Sequence, residues 1–242
     1  MVVFSVWLSL FIAHLIGDFY LQTDALCRQK EERRAKSWFL YVHVLLIGAL
    51  SWLAVPQWSF AGYALLILVS HWIIDLAKGY TRSGLIPFVF DQILHLLVLW
   101  GVSRCYVPDG PLPLDRLSTS MLCVLLFVVS FALCCKPTNI FIKLLLRRYE
   151  IGESKTCAEI KNAGALIGNL ERMLTVIFVF IGQYEAIGFI IAAKSILRFK
   201  DTDTAKTEYV LAGTFLSFGI AVVIGLLLKW GWPIMENCYL NL

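Results

Sequence analysis

The sequence predicts an all-α polytopic membrane protein with about eight transmembrane helices. Of its 242 residues, 59% are hydrophobic and only 16% are charged, whereas soluble domains carry about 25% charged residues. The mean hydropathy is +0.76. The apolar residues form repeated runs close to the roughly 20 residues that a helix needs to span a bilayer. Lipid is therefore the expected environment of most of the chain.

Eight apolar segments follow one another with short connections. Their approximate ranges are 3–24, 37–55, 59–79, 86–106, 117–136, 164–182, 185–199 and 208–230. The seventh is short, so six spans with this segment re-entrant are an alternative. We expect a single membrane domain over 1–242. Its first half, 1–107, holds four helices, and its second half, 108–242, contains a cytoplasmic polar loop at 143–162.

The distribution of positive charge predicts the orientation. Seventeen of the 21 Lys and Arg lie in 25–37, 78–82, 136–161 and 194–206. These connections share one side of an eight-helix arrangement, and loops rich in Lys and Arg stay in the cytoplasm. Both termini should therefore face outward. The net charge of +4 is spread over short loops, so we expect no nucleic-acid partner.

All four His residues lie in the first four predicted helices, and three of them have an Asp four residues away. The pairs are His14 with Asp18, His71 with Asp75, and His95 with Asp91, while His43 stands alone in the second helix. Four residues are slightly more than one helical turn, so each pair projects from one face. All seven fall roughly 5–15 Å from the cytoplasmic helix ends. A common depth in four helices predicts one shared cluster.

These seven residues are candidate metal ligands. An ionisable group within a membrane helix costs at least about 2.5 kcal/mol, and such groups usually face the bundle interior and mark function. Imidazole and carboxylate suit a divalent cation, and we expect zinc, with iron or manganese as alternatives. The cluster can form one site of three or four ligands or a two-metal site. Asp91 and Asp18 are the candidates for a catalytic base.

Polar groups near the cluster and in the second half are candidate substrate-binding residues. Gln22, Lys78 and Gln92 lie beside the His/Asp positions, although Lys78 can equally extend to the membrane interface. In the sixth and seventh predicted helices the candidates are Arg172, Lys194 and Arg198, which suit a phosphate-bearing ligand. Glu171 and Lys194 should lie at similar depth, and we expect an ion pair between them.

Several segments resemble a known family. AHLIGDFYLQTD, YVHVL, SHWIIDLAKG and FDQILH resemble the bacterial family catalogued as domain of unknown function 3307. GALIGNLERMLTVIFVFIGQYEAIGFIIAAKSILRFKD and EYVLAGTFLSF resemble the C-terminal part of its longer members. The resemblance implies a bacterial inner-membrane protein and supplies no activity. SHWIIDLAKGYTRSGLIPF is also similar to a segment of metal-dependent inner-membrane hydrolases. The shared positions are His71, Asp75, Gly84 and Pro87. This likeness implies that the His and the Asp bind a metal.

Together these observations favour a metal-dependent hydrolase that acts on a lipid or lipid-linked substrate at the cytoplasmic leaflet. Membrane lipid is the expected partner, with a second copy of the chain or an operon partner as further candidates. One alternative is a transporter or channel for divalent metal or protons that uses the same residues. Another is a membrane sensor or effector in which a metal only holds the helices together.

Overall fold

The structure, a computed structural model, describes residues 2–149, 161–198 and 204–240. Within these ranges the side chains left undescribed are Asp24, Glu31, 161–163, 197–198, 204–210 and 233–240. The described residues form ten α-helices and no strand. They are α1 (Val2–Leu15), α2 (Asp24–Arg33), α3 (Trp38–Ala54), α4 (Ala61–Lys78), α5 (Leu85–Cys105), α6 (Thr119–Cys134), α7 (Lys136–Arg148), α8 (Lys161–Ile181), α9 (Tyr184–Arg198) and α10 (Thr204–Leu240).

Six helical stretches in the described residues are long and apolar enough to cross a membrane. They confirm the prediction of an all-α polytopic membrane protein. Each of the eight predicted apolar segments corresponds to a helix, but α3 has 17 residues and α9 has 15. Both are shorter than the roughly 20 residues of a typical span. The count of eight spans therefore stays a prediction.

Residues 25–37, which we expected to form a loop, contain α2 instead. Thr23 caps this helix, because its side-chain oxygen accepts a hydrogen bond from the backbone N–H of Leu26 at 3.4 Å. Lys30 and Arg33 occupy the last turn, where positive charge interacts favourably with the helix dipole. The segment is rich in Gln, Lys, Glu and Arg, which are good helix formers. Its polarity rules out a membrane span but not a helix.

Residues 143–148 of the predicted polar loop also belong to a helix, α7. Pro137 lies in the first turn of α7, where a missing N–H costs no hydrogen bond. The basic residues that suggested a loop alternate with apolar ones at helical spacing, so α7 is amphipathic. Residues 150–160 of the predicted loop lie outside the described residues, and residues 161–162 begin α8.

The chain divides into two compact units, Met1–Ser118 and Thr119–Leu242. We had placed the division earlier, after residue 107. The segment beyond α5 joins the first unit because Leu112 and Leu114 are buried there. In addition, the side-chain amide of Gln57 donates a hydrogen bond to the carbonyl of Gly110 at 2.9 Å.

In the N-terminal unit, α1, α3, α4 and α5 form a ring in which α1 and α4 each pack against both α3 and α5. Close approach of α3 and α4 requires glycine at position 48, where a Cβ would lie 2.8 Å from Cδ1 of Leu68. An apolar core fills the end of the ring where α1 begins and α3 ends. It consists of Val6, Leu10, Ile47, Val55, Phe60, Ala64, Ile67, Leu99, Val102, Tyr106 and Leu112.

In the C-terminal unit, α10 packs against α6, α7 and α8, and α8 also contacts α6 and α9. A Cβ at Gly225 would lie 2.8 Å from Cβ of Val179, so the glycine allows α10 and α8 to approach closely. Arg172 of α8 is buried in this unit and is 3% exposed.

Candidate metal centre

Seven ionisable side chains of the N-terminal unit lie in one buried group, named the His/Asp cluster below. They are His14 and Asp18 from α1 and the turn after it, His43 from α3, His71 and Asp75 from α4, and Asp91 and His95 from α5. These are the seven predicted ligands, and the structure brings all of them together. Asp18 is the most accessible, and its side chain is only 8% exposed. Whether the seven bind a metal stays a prediction.

A π-helical turn, Ile16–Tyr20, ends the first span and carries Asp18. Its wider geometry is evident from the bond that the backbone N–H of Leu21 donates to the carbonyl of Ile16 at 3.0 Å. Gly17 lets the turn pass close to Ile47 of α3. Such turns are rare and frequently occur at functional sites. This one directs Asp18 toward α3.

Three candidate ligand atoms form a compact triangle next to the apolar core, at the end of the ring where α3 begins and α4 ends. Nε2 of His43 lies 3.0 Å from Nε2 of His71 and 3.1 Å from Oδ1 of Asp18. Nε2 of His71 lies 3.4 Å from the same Asp18 oxygen. In a tetrahedral zinc site with ligand bonds near 2.0–2.1 Å, neighbouring ligand atoms are about 3.3 Å apart. The three atoms therefore match one face of such a site.

Asp75 lies beside this triangle and offers a fourth ligand. Its Oδ2 is 3.7 Å from Nε2 of both His43 and His71. Its other oxygen, Oδ1, lies 3.9 Å from Nε2 of His95, which in turn is 3.4 Å from Oδ1 of Asp91. The rings of His71 and His95 stack with centroids 4.0 Å apart. Asp75 thus lies between the triangle and the pair formed by Asp91 and His95.

Two glutamines orient the Asp18 carboxylate. The amide nitrogen of Gln22 donates to Oδ1 at 3.1 Å and lies 2.8 Å from Nε2 of His43. The amide nitrogen of Gln92 donates to Oδ2 at 2.9 Å and to Oδ2 of Asp91 at 3.1 Å. Polar groups that orient ligands in this way are typical of metal sites. The predicted substrate-binding residues Gln22 and Gln92 are therefore part of the cluster's hydrogen-bond network.

Lys30 is a site residue that the sequence did not predict. Its ammonium lies 2.7 Å from Oδ2 of Asp75, and its side chain is 12% exposed. Burial opposes protonation, but the carboxylates of Asp75 and Asp18 outweigh it and raise the pKa of Lys30 above its ordinary value. The sequence feature that could have predicted this contact is the Thr23 cap. It begins α2, and this helix carries Lys30 over the cluster.

Two lysines contact the three carboxylates of the His/Asp cluster. Lys78, the other lysine, donates to Oδ2 of Asp91 at 2.7 Å, and its side chain is 29% exposed. Asp75 and Asp91 are thus each neutralised by one ammonium within hydrogen-bond distance, whereas the close contacts of Asp18 come from glutamine amides and His side chains. A buried charge is costly unless it is paired. The carboxylate without a directly bound ammonium therefore belongs to the triangle that fits a cation.

The other predicted substrate-binding residues belong to the C-terminal unit. Arg172 donates hydrogen bonds to the Cys134 carbonyl at 2.5 Å, to Oγ of Ser217 at 2.8 Å and to the Asn139 and Asn169 side chains. Lys194 pairs with Glu171 at 2.5 Å, which confirms the predicted ion pair. The side chain of Arg198 lies outside the described residues. Phosphate binding by these residues stays a prediction.

Among the comparisons with known proteins, one family model matches the chain. No curated protein and no solved structure matches the chain. The family model matches residues 6–111, a range that contains every residue of the His/Asp cluster and excludes the C-terminal unit. The matched family is described as Protein of unknown function (DUF3307), and this N-terminal part of the chain is similar to it.

Proposed function

We propose that this chain is a metal-dependent membrane hydrolase whose centre is the triangle of His43, His71 and Asp18. The observation that carries the proposal is the combination of geometry and charge at this triangle. Three candidate ligand atoms lie 3.0–3.4 Å apart, in the buried region where the Asp18 carboxylate has no ammonium among its hydrogen-bond donors. A divalent cation there would neutralise Asp18 and satisfy both imidazole nitrogens.

The residues around the triangle suit hydrolysis. When bound, a divalent cation polarises a phosphoryl oxygen and makes nearby water a stronger acid. Gln22 and Gln92 hold the Asp18 carboxylate in position. A carboxylate oxygen that is not used as a ligand can accept the proton of an attacking water. Oδ2 of Asp91 and Oδ2 of Asp18, which both accept a hydrogen bond from Gln92, lie outside the triangle contacts, so both residues remain candidates for this role.

A lipid or lipid-linked phosphate is the substrate class that fits the surroundings. The site is enclosed by apolar membrane helices, and among its charged groups Lys78 has the most exposed side chain, at 29%. An ammonium at the rim can bind an anionic headgroup while the acyl chains stay in the bilayer. Positive charge in the neighbouring segments favours the cytoplasmic leaflet of a bacterial inner membrane.

Transport of the metal through the N-terminal unit is less well supported. The far end of the ring is filled by the apolar core described above. Among the described residues, the buried polar side chains of α1, α3 and α5 at that end are Ser5, Ser9, Ser51 and Ser103. Neutral serines offer little compensation to a dehydrated divalent cation, which prefers charged or strongly coordinating ligands there.

The test combines metal content with turnover. Wild-type protein in detergent should contain near-stoichiometric zinc, iron or manganese by inductively coupled plasma mass spectrometry. It should also release phosphate or headgroup from a panel of phospholipids and lipid pyrophosphates. His71→Ala should lose both properties, whereas Glu32→Gln, an exposed carboxylate of α2, should keep them.

Two outcomes would contradict the proposal. Absence of bound metal after reloading folded wild-type protein would remove the metal site itself. Stoichiometric metal without turnover on the whole panel would instead leave a metal that serves sensing or structure.

A further inference from the structure

We infer that the His/Asp cluster binds two divalent cations, with Asp75 as the ligand that bridges them. The first cation occupies the triangle of the proposed function, on which this inference rests. The second lies between Asp75, Asp91 and His95. Sequence spacing leaves the number of metals open, whereas the placement of individual oxygen atoms in the structure distinguishes the two arrangements.

The two oxygens of Asp75 face different groups. Oδ2 is 3.7 Å from Nε2 of His43 and from Nε2 of His71, so it points to the first position. Oδ1 is 3.9 Å from Nε2 of His95, on the side of Asp91. A carboxylate placed between two ligand groups in this way is suited to bridging two ions, and paired catalytic metals lie about 3.5–4 Å apart.

The second group also has atoms without a hydrogen-bond partner. Among the described residues, Oδ1 of Asp91 and Nε2 of His95 are buried and accept or donate no hydrogen bond. Both residues are 3% exposed, so they are shielded from bulk solvent. Buried polar atoms are nearly always paired, and an exception calls for an explanation such as an ion. These two atoms lie 3.4 Å apart, where a protonated His95 would form an ion pair with Asp91. The same separation suits two ligands of one cation.

All three ligand atoms of the second group lie within 4.8 Å of one another. Zinc and manganese accept this combination of one imidazole and two carboxylates. Asp91 keeps its second oxygen for Lys78, because each carboxylate oxygen has its own acceptor sites. Because the Lys78 ammonium holds that second oxygen, Oδ2 of Asp18, whose partner is the neutral amide of Gln92, becomes the carboxylate oxygen that accepts the proton of the attacking water.

The charge of the cluster predicts that the second cation binds more weakly than the first. The first cation already overcompensates the carboxylate that lacks a lysine. A second cation near Lys30 and Lys78 makes the site strongly positive, so an anion should bind with it. We therefore expect inorganic phosphate, as a stand-in for the phosphoryl group of a substrate, to tighten binding of the second cation at least tenfold.

The test uses the full chain in detergent, equilibrated with Mn²⁺ in the presence of inorganic phosphate. Wild type should bind two Mn²⁺ per chain, and its electron paramagnetic resonance spectrum should show two magnetically coupled ions. Asp91→Asn and His95→Gln should each bind one Mn²⁺ with the spectrum of an isolated ion. Glu32→Gln should behave as wild type, which controls for loss of a carboxylate outside the cluster.

The outcomes separate this inference from the proposed function. One uncoupled Mn²⁺ in wild type at saturation, or two in Asp91→Asn, would overturn the second site and leave the first intact. Absence of Mn²⁺ from folded wild type would overturn both. Because the wild-type stoichiometry and spectrum are decisive by themselves, the test does not depend on the folding of any one variant.

Discussion

The two units of this chain both bury charged side chains, but they differ in the partners that they provide for them. In the C-terminal unit, all three guanidinium nitrogens of Arg172 donate to acceptors at 2.5–2.8 Å. In the N-terminal unit, imidazole and carboxylate atoms converge on one another, and Asp91 and His95 each have a buried atom without a hydrogen-bond partner. Donors matched to acceptors need nothing further, whereas converging acceptors suit a cation. The comparison contrasts a network that holds helices together with one that we propose binds a metal.

The largest expected effect tests the ligand-binding side of this comparison. Adding metal at about 1,000 times its Kd should stabilise wild type by about 4 kcal/mol, because it binds only the folded state. His43→Ala should abolish this stabilisation, since it removes one corner of the triangle. Thermal unfolding in detergent, with a chelator and with added zinc or manganese, measures the difference. Equal stabilisation of wild type and variant would show that the metal binds elsewhere.

The next effect tests the structural side. Arg172→Met should lower the free energy of unfolding by about 3 kcal/mol or more, since each buried acceptor left without a donor costs about 1–3 kcal/mol. Metal content should not change, because the His/Asp cluster belongs to the other unit. Unfolding in denaturing detergent gives the stability, and elemental analysis gives the metal. A parallel loss of bound metal would break the separation of the two networks.

Lys30 offers a smaller effect that sharpens the comparison within the N-terminal unit. Its ammonium lies 2.7 Å from the Asp75 oxygen that faces His43 and His71, where it competes with a cation. Lys30→Met should therefore bind metal about tenfold more tightly, or about 1.4 kcal/mol. Metal titration monitored by calorimetry measures this change. A purely structural cluster would instead lose stability without any gain in metal affinity.

The same variant also tests how the stability contributed by the Lys30 ammonium depends on pH. Because the pKa of Lys30 is raised in the folded protein, its ammonium stabilises the metal-free fold fully below the ordinary lysine pKa. That contribution is lost only as the pH rises through the elevated folded value. The stability difference between metal-free wild type and Lys30→Met should therefore stay constant from neutral to moderately alkaline pH. A difference that disappears near pH 7 would contradict the ion pair.

The smallest expected effect concerns Glu171 and Lys194. Their side chains are 13% and 26% exposed, so water screens the pair in part. A double-mutant cycle with Glu171→Gln and Lys194→Met should give a coupling of about 1 kcal/mol or less. Turnover should be unaffected if the pair only fixes α8 against α9. A marked loss of turnover on anionic lipids would assign it a role in substrate binding.

Local sequence determined the class of the protein and the composition of its central cluster. Apolar runs of spanning length predict membrane helices because lipid leaves no alternative to intrahelical hydrogen bonding. The four-residue spacing predicts paired His and Asp on helix faces, and all seven predicted ligands meet in the structure. The Glu171–Lys194 pair followed from equal depth in neighbouring helices. Each of these results depends on helical period and depth, which sequence spacing carries directly.

Only the tertiary structure decided how the charges are shared. Packing of α2 over the ring brings Lys30 to Asp75, and the π turn carries Asp18 to His43. Packing of α4 against α5 places Lys78 on Asp91, and packing in the C-terminal unit surrounds the Arg172 guanidinium with protein acceptors. These contacts depend on side-chain rotamers and on the angles at which separate helices meet, and spacing along one helix contains no information on either. For that reason the sequence predicted the candidate ligands, while the structure distinguishes the oxygen atoms that each cation would bind.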